Sequence, residues 1–516
     1  MKVHLLFEAA DFDFAAGLPP GHEDLTQDLE LATLIQAMAA GDRYLTDVAT
    51  RVLLTSLHDP AAIRYRQAIL TDCLAHPEVI RDLYAIATGA QQDKRTLWSH
   101  YGGTYQNPGS NLNGAVTYLE AYVARLRELR AIADTHYQEF RSAGLTTLFA
   151  TLRSDLDDAY FAEVSDHLQR LRFRAGVVIS AELDRDNSGI NFVLRDPGAA
   201  RRNWIERLGI GPRSSHSFTI SARDEAGAQI LADLTDRGIN QVANAAAQSA
   251  DHIGGYLAIL RAELGFYVAC LNLAGQLATH HVPITIPEPV DADSLAFSCE
   301  DLRDTCLALR SPDPVTGNDI TADGVSLVVI TGANSGGKST FLRSAGQAQL
   351  MMQCGLFVTA QNYQANVAGG IFTHFIREED ASMTSGRLDD ELKRMSATAS
   401  HLTPHSLMLF NESFAGTNER EGAEIGHQIV RALQERRITV FYVTHRYEFT
   451  QRFTQQPTAL FLRADRQPGQ PPDHKLAPKQ PLPTSSGQDL YHQLGGWLGE
   501  DDHRVPAAAP PAGGGT

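Results

Sequence analysis

Residues 325–343 read Val-Ser-Leu-Val-Val-Ile-Thr-Gly-Ala-Asn-Ser-Gly-Gly-Lys-Ser-Thr-Phe-Leu-Arg. An apolar run ending at Ile330 is followed, after Thr331, by a complete G-x-x-x-x-G-K-[ST] pattern over residues 332–340. A triphosphate needs inward-pointing backbone N–H groups from a loop whose glycines allow close approach, together with one flexible cation. Gly332, Ala333, Asn334, Ser335, Gly336, Gly337 and Thr340 are the candidates for that cradle. Lys338 supplies the charge for the β- and γ-phosphates and Ser339 a hydroxyl for Mg²⁺. A helix beginning near Lys338 would aim the positive end of its dipole at the same phosphates. The competing reading, a glycine-rich turn that happens to end in Lys-Ser, does not account for a buried-type strand before the loop and a helical stretch after it.

Further along, residues 406–412, Ser-Leu-Met-Leu-Phe-Asn-Glu, form an apolar strand that ends in a polar pair. Behind a P-loop this is where a catalytic carboxylate is needed, and Glu412 is the candidate to orient and polarise an attacking water. Asn411 stands where such strands usually carry aspartate; a neutral amide can hold a Mg²⁺-bound water but cannot offset the ion's charge. The run Tyr-Val-Thr-His-Arg over residues 442–446 places His445 at the end of another apolar strand, positioned to sense a γ-phosphate. Apolar strands at 325–330, 407–410 and 439–443 alternate with helical stretches, which predicts an α/β sheet.

The first half reads differently. Leu31, Leu34, Ile35 and Met38, then Leu119, Tyr122, Val123 and Leu126, then Leu257, Leu260, Leu264, Val268 and Leu271, repeat at helical spacing. A short strand is expected at 3–7, and a loop rich in Gly, Asn and Gln at 93–114. Between the helical blocks, residues 175–181 and 190–194 flank Asp-Asn-Ser-Gly at 186–189, a β-rich insertion with a polar turn. Pro283, Pro287 and Pro289 mark the boundary before the nucleotide-binding half. The tail at 496–516 has the Pro, Gly and Ala content of a disordered segment.

The chain has 516 residues, enough for several domains, and a net charge of −17, which argues against coating nucleic acid through general electrostatics. Charge is uneven, however. Residues 170–223 use arginine as their only basic residue, and Arg172, Arg174, Arg195, Arg201 and Arg202 are candidate phosphate contacts. A solvated basic face is the alternative. Five scattered cysteines without a C-x-x-C fit reduced structural thiols. With no long apolar stretch and no signal-peptide pattern, the expectation is a cytoplasmic protein with no membrane partner.

These motifs carry a resemblance. ITGANSGGKSTFLR at 330–343, GLFVTA at 355–360, IFTHFIREEDASMTSGR at 371–387, LMLFNESFAGTNEREG at 407–422 and VTHRYEFT at 443–450 resemble, in order, the ATPase blocks of MutS-type DNA mismatch-repair proteins. The resemblance implies an ABC-type ATPase domain binding ATP and Mg²⁺, with Ser339 and Asn411 on the metal side. It implies a homodimer in which Ser385 and Gly386 approach the partner's γ-phosphate and Gly416, Thr417 and Asn418 form the interface loop. Asn318 falls in a segment that lies near the base in that family. The implied order is helical core and outgoing lever (1–169), small basic clamp (170–225), returning lever (226–290), ATPase domain (291–495) and tail (496–516).

Three departures stand out. The sequence carries neither a mismatch-reading N-terminal domain with its Phe-x-Glu wedge nor an appended Smr nuclease. After Gly386-Arg387 it continues Leu-Asp-Asp-Glu where the family usually has Ser-Thr-Phe, which alters the expected contact with the partner. Asn411 replaces aspartate, which would slow hydrolysis. The leading expectation is therefore a DNA-binding ATPase that clamps DNA under nucleotide control, in mismatch repair or a related pathway and alongside other repair proteins. The alternative is a nucleotide-gated protein-interaction switch without a DNA role.

Overall fold

The computed structural model describes residues 2–101, 107–173, 176–186, 188–195, 219–221, 224–377, 386–465 and 473–482. These residues form two compact units, one holding the segment up to Asp13 with Thr71–Val268, the other Phe14–Leu70 with the chain from Ala269 onward.

The first unit is helical. Helices α5 (Pro77–Tyr101), α6 (Pro108–His136), α7 (Ala143–Asp155) and α8 (Asp158–Leu171) precede a hairpin of β1 (Val178–Leu183) and β2 (Gly189–Arg195), and α9 (Glu225–Thr279) belongs to this unit up to Val268. Among the described residues, helix occupies most of the expected 93–114 loop. α5 continues through its Gln- and Lys-bearing stretch, and α6 starts at Pro108 because Asn107 caps it, accepting from Ser110 N at 2.8 Å while Pro108 needs no N–H partner. The expected strand at 3–7 does not form either. The carboxylate of buried Glu263 accepts from the amides of Leu5 (2.6 Å), Leu6 (3.3 Å) and Phe12 (2.9 Å), so a side chain takes the donors a sheet would have used. The β-rich insertion is the antiparallel hairpin β1–β2, its register shifted between Ser180 and Glu182. α9 contains one 18-residue window apolar enough, by length and composition, to cross a membrane, and 72% of that window is buried inside the fold.

The second unit contains α1 (His22–Asp28), α2 (Leu31–Ala39), α3 (Arg43–Leu54) and most of α4 (Pro60–Ala75). Then come β3 (Glu288–Val290), β4 (Phe297–Leu302), α10 (Thr305–Arg310), β5 (Asn318–Thr321), β6 (Leu327–Gly332), α11 (Lys338–Gln353), β7 (Asn362–Asn366) and β8 (Ile371–Phe375). It closes with α12 (Arg387–Ala399), β9 (Leu407–Asn411), α13 (Glu419–Glu435), β10 (Thr439–Val443), α14 (Tyr447–Gln451), β11 (Ala459–Ala464) and β12 (Leu476–Pro478).

Its main sheet has the order β12-β11-β6-β10-β9-β8, with β11, β6, β10, β9 and β8 parallel and β12 an antiparallel edge. The apolar runs predicted this: parallel strands covered on both faces read as continuous hydrophobic stretches. Leu327, Val329, Met408, Phe410, Val440 and Tyr442 pack with Phe414, Val430 and Phe449 in one buried cluster. β6 begins two residues later than the apolar run, because Gly324 (φ 72°) turns the chain and Val325 N donates to Ala322 O. A smaller sheet, β3-β7-β4-β5, places Pro289 on its edge strand, where a missing N–H costs nothing.

The units divide the expected 1–169 helical segment. α11 is buried on nearly every side, and its polar residues reach out to the N-terminal helices: Gln347 Nε2 donates to Leu29 O and Gln353 Nε2 to Leu57 O, both at 3.0 Å. Cys354 Sγ follows with Leu53 O at 2.9 Å. Nothing in the amphipathic spacing of residues 31–38 distinguished packing on a helical core from packing on the P-loop helix. All five cysteines are free and buried, and burial pushes the thiols of Cys299, Cys306 and Cys354 up to about 12.

Candidate nucleotide site

Three neighbouring parallel strands, β6, β10 and β9, end on the same side of the sheet, and their carboxyl ends carry the P-loop, His445 and the Asn411-Glu412 pair. In open α/β sheets this edge is where ligands bind. Stretches scattered over more than 100 positions in sequence thus meet at one edge because β10 is hydrogen-bonded to both β6 and β9.

The loop itself is built for close approach. Gly332 sits at φ 113°, and a Cβ there would lie 2.3 Å from Ala464 O on β11. Gly337, at φ 87°, is the residue before α11, whose first amides have no partner within the helix. Asn334 and Ser335 are exposed, whereas Ala333 and Gly336 are buried, and Gly336 N closes the turn onto Ala333 O at 3.2 Å. Lys338 is buried, and its ammonium donates to Gly332 O and Ala333 O, each at 2.9 Å. Burial lowers the Lys338 pKa, with the Glu412 charge opposing. Thr340 is half-buried in the first turn of α11.

Ser339 Oγ donates to Asn411 Oδ1 at 3.0 Å, so the two residues expected on the metal side are adjacent where the first turn of α11 meets the end of β9. Their donor set fits a Mg²⁺ ion held through a hydroxyl and a water, since hard oxygen ligands and retained waters suit this ion. Among the described residues no group of three or more His, Cys, Asp or Glu side chains forms a metal cluster of its own.

Glu412 follows Asn411 at φ 54°, a left-handed conformation that side-chain-bearing residues seldom take, and its amide donates to Val443 O at 3.0 Å. His445 Nδ1 lies 3.3 Å from Glu412 Oε2. This hydrogen bond holds the Glu412 carboxyl below its usual 4.5 against the opposing effect of burial, and it raises the His445 pKa above 6.5. The carboxylate is therefore ionised and aimed by a neighbouring imidazole.

Other expected residues have local duties. Asn318 is buried; its Oδ1 accepts from Leu476 N at 2.8 Å and its Nδ2 donates to His474 O at 3.4 Å, joining β5 to the β12 segment. Gly386 precedes α12, while Ser385 lies outside the described residues. Asn418 caps α13, accepting from Glu421 N at 3.0 Å, and Thr417 Oγ1 donates to the Glu421 carboxylate. Gly416 N donates to Glu391 Oε2 at 3.2 Å.

Two residues escaped notice in the sequence. Arg446, which follows His445, is buried; its guanidinium donates to Thr417 O at 3.3 Å and fills the space left by Gly422. Glu391 belongs to the Leu-Asp-Asp-Glu departure, and the unusual acid there was the only signal. It is 2% exposed.

The basic insertion is less free than its composition suggested. Arg172 is paired with Glu120, its Nε 2.9 Å from Oε1, and Arg195 Nε donates to Ser180 Oγ at 3.1 Å. Arg174, Arg201 and Arg202 lie outside the described residues.

A parallel sheet with this loop, lysine and carboxylate at its carboxyl edge defines a nucleotide-binding protein of the P-loop class. Residues 58–280 match the family model described as the MutS2 N-terminal domain, and residues 328–468 match MutS domain V. The chain belongs to the MutS family. It is 34% identical over 124 residues to the DNA mismatch repair protein MutS of Thermus aquaticus, covering 24% of this chain and 15% of that protein. It is 30% identical over 137 residues to MutS protein homolog 4 of Mus musculus (27% of this chain, 14% of that protein). To the DNA mismatch repair protein MutS of Porphyromonas gingivalis it is 29% identical over 215 residues (38% and 24%). The chain thus matches less than a quarter of the length of each of these relatives.

Proposed function

We propose that this chain is a MutS-like ATPase in which ATP binding and hydrolysis, at a site shared between two copies, control its hold on DNA in mismatch repair or a related pathway. The observation that carries the reading is the ionised Glu412, aimed by His445 and set beside the Lys338 and Ser339 loop at one sheet edge. In this reading the loop amides and Lys338 hold the phosphates, Ser339 and Asn411 hold Mg²⁺, and Glu412 accepts a hydrogen bond from the attacking water. Bound Mg²⁺ supplies charge neutralisation at the β- and γ-phosphate oxygens. Ser385 and Gly386 complete the partner's site, and Gly416, Thr417 and Asn418 line the contact between copies.

Lys338→Ala is expected to abolish ATP binding, and Glu412→Gln to keep it while lowering turnover about 100-fold or more. Equal turnover of Glu412→Gln and the parent would remove Glu412 from catalysis. Asn411→Asp is expected to speed hydrolysis. For DNA, fluorescence anisotropy with homoduplex, mispaired duplex and four-way junction, each with ADP, ATP or no nucleotide, tests the clamp. Binding is expected to weaken steeply with salt because phosphate contacts release counterions. The absence of any binding at low salt would overturn the DNA part.

A second reading, a nucleotide-gated protein-interaction switch, is favoured by the Arg172–Glu120 pair and the net charge of −17. Nucleotide-dependent dimerisation indifferent to saturating DNA supports it, and stimulation of ATP turnover by DNA counts against it.

A further inference from the structure

Glu391 lies on α12, just beyond the segment expected to serve the partner subunit, yet its carboxylate turns inward to its own chain. Oε1 accepts from Phe414 N at 3.1 Å and Oε2 from Gly416 N at 3.2 Å. Both amides belong to the loop that leaves the catalytic strand β9. That loop has an unusual backbone: Glu412 stands at φ 54° and Phe414 at φ 61°. Two left-handed side-chain-bearing residues so close together persist only where their surroundings over-determine them.

The surroundings do so through four side chains. His374 on β8 is buried and stacks on the Phe414 ring with centroids 5.3 Å apart. Burial pushes its pKa down to about 4, so the ring is neutral. In the neutral ring Nε2–H donates to the Glu391 carbonyl at 3.0 Å, and the single Ser413 hydroxyl hydrogen is shared between Nδ1 at 2.9 Å and the His374 carbonyl oxygen at 2.5 Å. Tyr442 on β10 donates its hydroxyl to Ser413 O at 3.1 Å. Arg446 holds Thr417 O. Glu391 is the member that takes two backbone amides at once, on either side of Ala415.

We propose that Glu391 is a positioning residue for hydrolysis: by fixing the amides of Phe414 and Gly416 it sets the backbone that aims the Glu412 carboxylate. The idea rests on the ATPase reading above. It assigns the Leu-Asp-Asp-Glu departure a role within its own subunit, and it makes α12 a lever on the catalytic carboxylate. Any displacement of α12 by a partner at Gly386 would move Glu391 and, through the loop, Glu412.

Glu391→Gln is the test, because it keeps the volume and one acceptor while turning an NH₂ toward one of the two amides. With a fluorescent ATP analogue the variant is expected to bind as tightly as the parent, while kcat falls about 10-fold to 100-fold, as misplacement of a reacting group predicts. In the Glu412→Gln background the same change is expected to cost nothing further, since two residues acting through one step are not additive. Unchanged kcat, or a full additional loss in that background, overturns the proposal. Hydrogen exchange reads the tether without turnover: Glu391→Gln is expected to speed exchange in peptides covering 412–418 and to leave those covering 332–340 unchanged. Unchanged exchange at 412–418 overturns the proposal even for a parent that does not hydrolyse ATP, whereas a parent without turnover but with the exchange effect overturns only the ATPase reading. Should Glu391→Gln fold poorly, His374→Asn, which removes the Nε2 donor to the Glu391 carbonyl, is expected to give the same exchange pattern more weakly.

Discussion

Glu412 and His445 set each other's protonation, and this gives the site a pH signature. The bond from His445 depresses the Glu412 pKa, so the carboxylate persists as pH falls through 4.5 and is lost only below it; the same bond raises His445, so the imidazolium persists as pH rises through 6.5 and is lost above. The pair is intact between these two displaced values. In His445→Gln the depressing partner is gone while burial of Glu412 remains, so the acid limb of the kcat profile is expected to move to higher pH. ATPase rates measured across the acid range check this, and coincident acid limbs for the two proteins would sink it.

At the scale of elements, the start of α13 is shaped around Arg446. A Cβ on Gly422 would fall 1.4 Å from the Arg446 Nη1 atom, far inside any contact distance. Gly422→Ala is therefore expected to expel the guanidinium from Thr417 O and to destabilise the nucleotide-binding unit by about 1–3 kcal/mol, the usual cost of overpacking; urea unfolding measures it. In the helical unit, α9 holds the N-terminal segment through Glu263, whose carboxyl burial pushes up to about 7 from 4.5 despite three amide donors. Here the sign is the reverse of the usual acid. Between those pH values the folded state binds more protons than the unfolded one at this group, so the contribution of Glu263 to stability is fully present below 4.5 and is lost as pH rises through 7. The decline attributable to this group is up to about 3 kcal/mol. Glu263→Gln is expected to flatten that part of the pH dependence in denaturant titrations, and an unchanged slope would remove Glu263 as its source.

At the scale of the whole molecule, the proposed shared site predicts that two copies associate when ATP is bound and not hydrolysed. Sedimentation of Glu412→Gln with saturating ATP is expected to give a dimer, and Lys338→Ala with ATP to gain nothing over its nucleotide-free state, because a ligand stabilises only the form that binds it. A Lys338→Ala protein that dimerises in response to ATP would break the link between this loop and assembly. What the sequence determined by itself was whatever rests on local pattern. The β6–P-loop–α11 unit, the strand ending in Asn411 with Glu412 after it, and the hairpin at 178–195 were legible because backbone period, glycine placement and apolar runs are properties of neighbouring residues. Only the tertiary structure decided what depends on residues far apart in the chain. It brought His445 to Glu412 by placing β10 beside β9, turned Glu391 inward onto Phe414 and Gly416, gave Arg172 its partner Glu120, and packed the 14–70 helices with the P-loop helix. In each case the deciding energy is the burial or pairing of a polar group, whose cost or benefit depends on a partner that sequence spacing does not reveal.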